Sequence, residues 1–349
     1  MSFIPYVPGP ARALLAVAVL AGVGLLFTLE RPPVDVVQRG FRGLGMMQNY
    51  HPSTFAKTVE ANQPIGPIGS PLAVGGPAGS VYKNVQVLKD LPVAEFTRLM
   101  ASITTWVAPT QGCTYCHVDT NNLASDDLYT KKVARRMLQM VLDINKNYKT
   151  HVASSGPTGA TGVTCYTCHR GNPVPANIWF TDVDSQAPVK TLGYRGGGRN
   201  RPSVAAGLTS LETDPYTPYF LGSDDIRVFP STALPEGTQT ASFKAAYWTY
   251  GVMINMSKAL GVNCTYCHNT RQFSDWSQST PQRATAWYGI RMVRHLNNDY
   301  LVPLTSTFPD TRLGPGGDGP KVNCATCHNG VYKPLFGANM VQYYPELTK

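Results

Sequence analysis

The sequence predicts a mainly α-helical chain with extensive irregular loops, built from two helix–CxxCH–helix–CxxCH repeats behind one N-terminal transmembrane helix. Three observations carry this. Apolar residues recur at helical spacing in four stretches, and a C-x-x-C-H pentapeptide follows each of them. One apolar run near the N-terminus contains no charge. The remainder of the 349 residues is punctuated by 32 glycines and 28 prolines, a content rich in turns yet below the roughly 25–30% that marks low complexity.

Residues 1–30 read as a membrane anchor. The run ALLAVAVLAGVGLLFTL, from Ala13 to Leu29, is at the short edge of what crosses a bilayer as a helix. Arg12 precedes it and Glu30, Arg31, Pro32 and Pro33 follow, which favours a cytoplasmic N-terminus and an exported remainder. A cleaved signal peptide is the competing reading. No Ala-x-Ala site follows the run, and Thr28, Leu29, Glu30 and Arg31 are poor cleavage flanks.

Residues 31–90, with RGFRGLGMMQNYHP and QPIGPIGSPLAVGGPAGS, read as an extended arm or surface loops. The first repeat spans 91–175. A helix opens around Asp90-Leu91-Pro92 with Phe96, Leu99, Met100, Ile103 and Val107 on one face, and CTYCH follows at 113–117. A second helix over about 126–148 carries Val133, Met137, Met140, Val141 and Ile144, and CYTCH follows at 165–169. Residues 176–240 read as connecting loops. The second repeat, 241–335, has a helix near 241–260 before CTYCH at 264–268 and another near 283–299 before CATCH at 324–328. Residues 336–349 form a C-terminal tail.

All 8 cysteines fall in these motifs, as Cys113/Cys116, Cys165/Cys168, Cys264/Cys267 and Cys324/Cys327, so the count leaves none for a disulfide scaffold. His117, His169, His268 and His328 follow the second cysteine of each pair. C-x-x-C-H is the attachment motif of c-type haem. Two thiols two residues apart form thioethers to the porphyrin vinyl groups, and the adjacent histidine lies under the iron. Zinc binding and thioredoxin-like redox work are the competing readings. Neither accounts for a histidine in the same place four times, so four covalent haems are expected.

The sixth iron ligand decides what a haem does, because a vacant position admits substrate whereas closure by Met or His favours electron transfer. Of 7 histidines, four are proximal, leaving His51, His151 and His295; four bis-histidine haems are therefore impossible within one chain. Met100 and Met253 lie on helices shortly before Cys113 and Cys264, placed to turn a sulfur toward the iron, although a Met at helical spacing also serves as core filler. For the second haem, Met137 and Met140 stand one turn apart and periodicity does not separate them. For the fourth, Met292 and His295 are candidates by position.

The arm RGFRGLGMMQNYHP, the stretch RRMLQMVLDINKNYKTHV, the segment GVTCYTCHRG and the four motifs with their spacing resemble the tetrahaem cytochrome c subunit of purple-bacterial photosynthetic reaction centres, a multihaem cytochrome c, over nearly the whole chain. The resemblance implies that Met100 caps the haem at His117, Met137 the haem at His169 and Met253 the haem at His268. It implies that His151 crosses to the haem at His328. The haem at His268 is then the one nearest the bacteriochlorophyll pair.

The implied function is periplasmic electron transfer, with no substrate site. Electrons come from a soluble donor, a small cytochrome c or a high-potential iron–sulfur protein, and pass through four c-type haems to the photo-oxidised special pair. The arm would meet the reaction-centre core membrane subunits, with Met46, Met47 and Tyr50 as candidate contacts. The bulk of the chain would stand on the periplasmic side of the photosynthetic membrane. Many family members carry a lipid-modified N-terminal cysteine; this sequence has none outside the motifs, so the N-terminal helix is expected to anchor it.

A formal charge of +9 invites a nucleic-acid reading, but the Lys and Arg are scattered with no basic run. Four haems bring about eight propionate charges at neutral pH, which nearly offset it. A multihaem oxidoreductase with an open iron, and a conduit serving another membrane complex, are the rival functional classes.

Overall fold

The computed structural model describes residues 9–28, 34–39, 46–152, 161–183, 203–211, 213–224, 226 and 243–349. Much of the expected connection over 176–240, and residues 31–33 and 40–45 of the arm, lie outside the described residues. What is described is mostly helical. Helix α1 (Gly9–Thr28) is 20 residues long, with a mean hydropathy of 2.1 and none of that window buried. At about 1.5 Å per residue it spans about 30 Å, the thickness of a bilayer's hydrocarbon.

The arm is more ordered than its glycines and prolines suggest. Strand β1 (Asp35–Arg39) pairs antiparallel with β2 (Met46–Tyr50), in a register from Asp35↔Tyr50 to Arg39↔Met46. The neighbouring β-branched Val36 and Val37 favour a strand, a signal that punctuation alone hides. The hairpin is tied to the second half of the chain. Gln48 Nε2 donates to Gly261 O at 2.9 Å, and Asn263 Nδ2 donates to Met46 O at 3.0 Å. Helix α2 (Pro52–Glu60) follows, then the short α3 (Ala78–Val81).

Helix α4 (Val93–Val107) starts directly after Pro92, whose fixed φ suits a helix entry. Its buried side chains are Glu95, Arg98, Leu99, Ser102 and Trp106, with Leu99 0% and Trp106 1% exposed. The expected stripe is thus split: Leu99 belongs to the core, whereas Phe96, Met100, Ile103 and Val107 are only partly buried beside it. Helix α5 (Tyr129–Asn147) leads into α6 (Lys149–Val152), then α7 (Cys165–His169). Helices α8 (Phe243–Leu260), α9 (Pro281–His295) and α10 (Cys324–His328) make the second half, with a π-turn over Leu296–Leu301 extending α9.

Two apolar cores result. One gathers Leu91, Leu99, Trp106, Leu138, Val141, Cys165, Tyr344 and Leu347. The other joins Met140 and Ile144 of α5 to Tyr219, Phe220, Val252, Ile290 and Val293. The C-terminal segment 336–349 is therefore part of the first half's core: Tyr344 packs edge-on against Trp106 with ring centroids 4.7 Å apart.

This return buries a charge cluster. Arg98 hydrogen-bonds Glu95, donates from Nη2 to Tyr343 O at 2.6 Å, and lies 3.5 Å from Glu346 Oε1. Burial raises the Glu95 carboxyl, but the Arg98 guanidinium, the Leu72 N–H and the Glu346 side chain together outweigh this and hold it below the ordinary range. Glu346 is pushed up to about 7, by burial first and by Glu95 as a like charge. A raised carboxyl stabilises the fold while protonated. Its contribution is complete below the unfolded value near ~4.3 and is lost as pH rises through about 7. Denaturant midpoints of the native chain are expected to fall over that window and those of Glu346→Gln to fall less; parallel curves would exclude this role.

Candidate haem-binding site

Local folding groups the four motifs by alternate position. The first and third lie on 3₁₀ turns, Gly112–Tyr115 and Cys264–Tyr266. Thr130 at the start of α5 donates its hydroxyl to Tyr115 O, and Thr280 before α9 donates to Tyr266 O. The second and fourth are short helices, α7 and α10, each opened by a reciprocal cap, Thr164 with Thr167 and Asn323 with Thr326. Each is closed by a left-handed residue, Arg170 (φ 51°) and Asn329 (φ 48°).

The four motif histidines share one arrangement. His117 Nδ1 lies 3.0 Å from Leu123 O, His169 Nδ1 2.9 Å from Asn172 O, His268 Nδ1 3.0 Å from Phe273 O and His328 Nδ1 3.0 Å from Val331 O. A carbonyl only accepts, so Nδ1 carries the proton and Nε2 keeps its lone pair for a metal. Burial lowers the pKa of each ring, and in His328, where it acts together with His151, to about 4. Neutral imidazole is the form that ligates.

His151, on α6, is built the same way: its Nδ1 lies 2.9 Å from Thr285 O on α9, and burial lowers its pKa. Its ring faces His328 with centroids 6.2 Å apart and planes at 68°. Two metal–nitrogen bonds of roughly 2 Å plus two half-rings add to about 6 Å, so this gap fits one iron between the two rings. His295 differs. Its Nε2 lies 2.7 Å from Asp143 Oδ2 and its Nδ1 2.8 Å from Asp299 Oδ2, so both nitrogens are engaged by carboxylates.

A cavity of about 940 Å³ runs between the halves, near the upper end of typical ligand pockets. It brings together Cys116, Met137, His151, Cys165, Cys168, His169, Cys324, Cys327 and His328. Met140 and Met292 also line it, but both are members of the buried core, whereas Met137 lies partly buried at its edge. Cys113, Met100 and His117, and Met253, Cys264, Cys267 and His268, lie outside this cavity. Met100 and Met253 are each partly buried, one beside each core.

Burial pushes the thiols of Cys165 and Cys324 up to about 12 and those of Cys116 and Cys267 up to about 11. Among the described residues no group of three or more His, Cys, Asp or Glu converges to hold a bare metal ion. Each motif instead offers two thiols beside one imidazole whose Nε2 is free, a donor set that fits covalent haem.

The second and fourth motifs touch: the Cys168 and Cys327 sulfurs are brought side by side across 159 residues of chain, with Cα atoms 4.5 Å apart. The physical basis is the packing of α7 on α10, where Arg170 Nη2 also donates to Cys327 O at 2.8 Å. Bonded to each other, these two sulfurs would have no bond left for a vinyl group, so a disulfide and two thioethers are exclusive alternatives at these positions. Sequence reasoning missed the carbonyls that orient the rings, because backbone acceptors have no residue signature.

The chain matches the family model described as photosynthetic reaction centre cytochrome C subunit over residues 30–348. It is 53% identical over 335 residues to the photosynthetic reaction center cytochrome c subunit of Rubrivivax gelatinosus, covering 95% of this chain and 88% of that one. To the subunit of the same name from Thermochromatium tepidum it is 48% identical over 342 residues, covering 98% and 82%. To that of Roseobacter denitrificans it is 38% identical over 356 residues, covering 97% and 93%. The chain belongs to the photosynthetic reaction centre cytochrome c subunit family, whose members are electron-transfer subunits rather than enzymes.

Proposed function

We propose, from the premise of that family membership, that this chain holds four c-type haems in a row and is the periplasmic electron-transfer subunit of a photosynthetic reaction centre. Bound there, the haems supply one-electron chemistry that carries electrons from a soluble donor to the photo-oxidised bacteriochlorophyll pair.

The protein's part is placement and tuning. Cys113/Cys116, Cys165/Cys168, Cys264/Cys267 and Cys324/Cys327 tether the porphyrins, and His117, His169, His268 and His328 are the proximal ligands, each oriented by its carbonyl. Met100, Met137 and Met253 cap the first three irons and His151 the fourth. The engagement of both His295 nitrogens supports His151 over its rival.

The alternating motif structures support a duplicated helix–motif–helix–motif plan. Registered on Thr130 and Thr280, Met137 falls opposite Trp287. The second half thus has no sulfur at that place, and a ligand from the first half fills the role.

The succession of motifs in space carries the reading. The first adjoins the second, where Gly171 N donates to Trp106 O at 2.8 Å, and the second meets the fourth at Cys168 and Cys327. The fourth adjoins the third, where Gly330 N donates to Ala259 O at 2.8 Å and the Tyr266 and Tyr332 rings lie 6.4 Å apart. The order in space is first, second, fourth, third. At the third motif's end lies the hairpin, with Met46 and Met47 exposed. It begins seven residues after α1 ends, at most roughly 25 Å of extended chain. This supports a membrane-side position for the haem at His268 and contact of the arm with the core subunits.

Flash illumination of membranes holding the native complex is the test. Haem oxidation within microseconds to milliseconds is expected, and haems that stay reduced through a flash that oxidises the pair would refute the relay.

A further inference from the structure

The geometry points to Gly289 and Thr285, on one face of α9, as the positioning residues that seat the His151 ring. This deepens the reading above and rests on His151 being the ligand of the fourth haem. Gly289 lies inside α9 and is buried. A glycine at a helix interior is less favourable than alanine, so its presence needs a local cause.

Backbone conformation is not that cause: Gly289 is absent from the glycines with positive φ, and any L-residue could adopt its helical dihedrals. Space is the cause. A Cβ on residue 289 would lie 2.5 Å from His151 Cε1, 2.9 Å from Nδ1 and 3.2 Å from Nε2. Its three nearest neighbours all belong to that one ring, so a single methyl group would force the imidazole to move.

The ring depends on this seat because its own element holds it weakly. Helix α6 is four residues long, too short to be rigid alone. What fixes the imidazole is the α9 surface: Gly289 gives room for the ring, and one turn earlier the Thr285 carbonyl accepts from Nδ1 at 2.9 Å. That carbonyl has a second lone pair beyond its helical bond, so it orients the ring without opening the helix. Together the two contacts set which edge of His151 turns toward His328. The counterpart of Gly289 in α5, registered on Thr130 and Thr280, is Gln139, so the slot belongs to the second half alone.

A double-mutant cycle on the holoprotein tests this. The readouts are the low-spin electron paramagnetic resonance signal of the bis-histidine haem and the redox titration of each haem. Gly289→Ala is expected to abolish or shift that one signal and leave the other three haems unaltered, although alanine is the better helix former. On a His151→Met background the same substitution is expected to add nothing, because the flexible thioether can bend around a methyl group. If His151→Met alters the fourth haem while Gly289→Ala does not, the seat is overturned and the ligand reading stands. If Gly289→Ala perturbs the haems equally on both backgrounds, its role is general packing and the inference fails. If His151→Met itself leaves the signal intact, the ligand assignment fails, and the seat with it.

Discussion

Replacing Met253 by histidine is expected to lower the reduction potential of the haem at His268, and of that haem alone. Met253 lies on α8, eleven residues before Cys264, partly buried against the second core. A thioether is a soft donor that favours ferrous iron, whereas a second imidazole favours the ferric state, so Met/His ligation gives the higher potential. The expected drop is on the order of 0.1 V, a modest part of the roughly 0.8 V that axial ligation spans. For a one-electron couple each 59 mV is tenfold in the reduced-to-oxidised ratio. At an ambient potential between the old and new midpoints this haem is already oxidised before a flash, so the amplitude of its photo-oxidation falls. Spectroelectrochemical titration checks the shift directly, and an unchanged set of four midpoints would remove Met253 from the ligand set.

The reciprocal exchange, His151→Met, is expected to raise the potential of the haem at His328 by a similar amount, on the order of 0.1 V. It also removes the only pair of imidazoles that face each other at ligating distance among the described residues, 6.2 Å between ring centroids. The bis-histidine signal disappears and a fourth Met/His spectrum takes its place. His295→Ala is the matched control. It removes a ring held by Asp143 and Asp299 and leaves the four midpoints in place. A rise at another haem after His151→Met, or the same effect from His295→Ala, would contradict the crossover from the first half to the fourth motif.

These residues differ in how readable they were. A C-x-x-C-H motif is complete within five residues, so the proposed tethers and proximal ligands could be named without any fold. The helices were nearly so: Pro92 marks the start of α4, and the expected 126–148 became Tyr129–Asn147, because apolar spacing and capping are local. The hairpin at Asp35–Tyr50 was hidden because glycine and proline outweighed a short β-branched pair. The C-terminal segment has no periodic pattern, and only the contact of Tyr344 with Trp106 shows that it completes a core. Chain order also conceals spatial order: the fourth motif adjoins the second through contacts more than a hundred residues apart. Choosing His151 over His295 needed the partners of each ring nitrogen, which no spacing rule supplies.

The central claim is that each motif, the second and fourth included, carries a porphyrin through its own two sulfurs. Peptide mapping of the mature chain by mass spectrometry tests this most directly. The account predicts four separate fragments, each heavier by one haem, with Cys165/Cys168 and Cys324/Cys327 in different fragments. A fragment pair linked through Cys168 and Cys327, or fewer than four haem-bearing peptides, would contradict it.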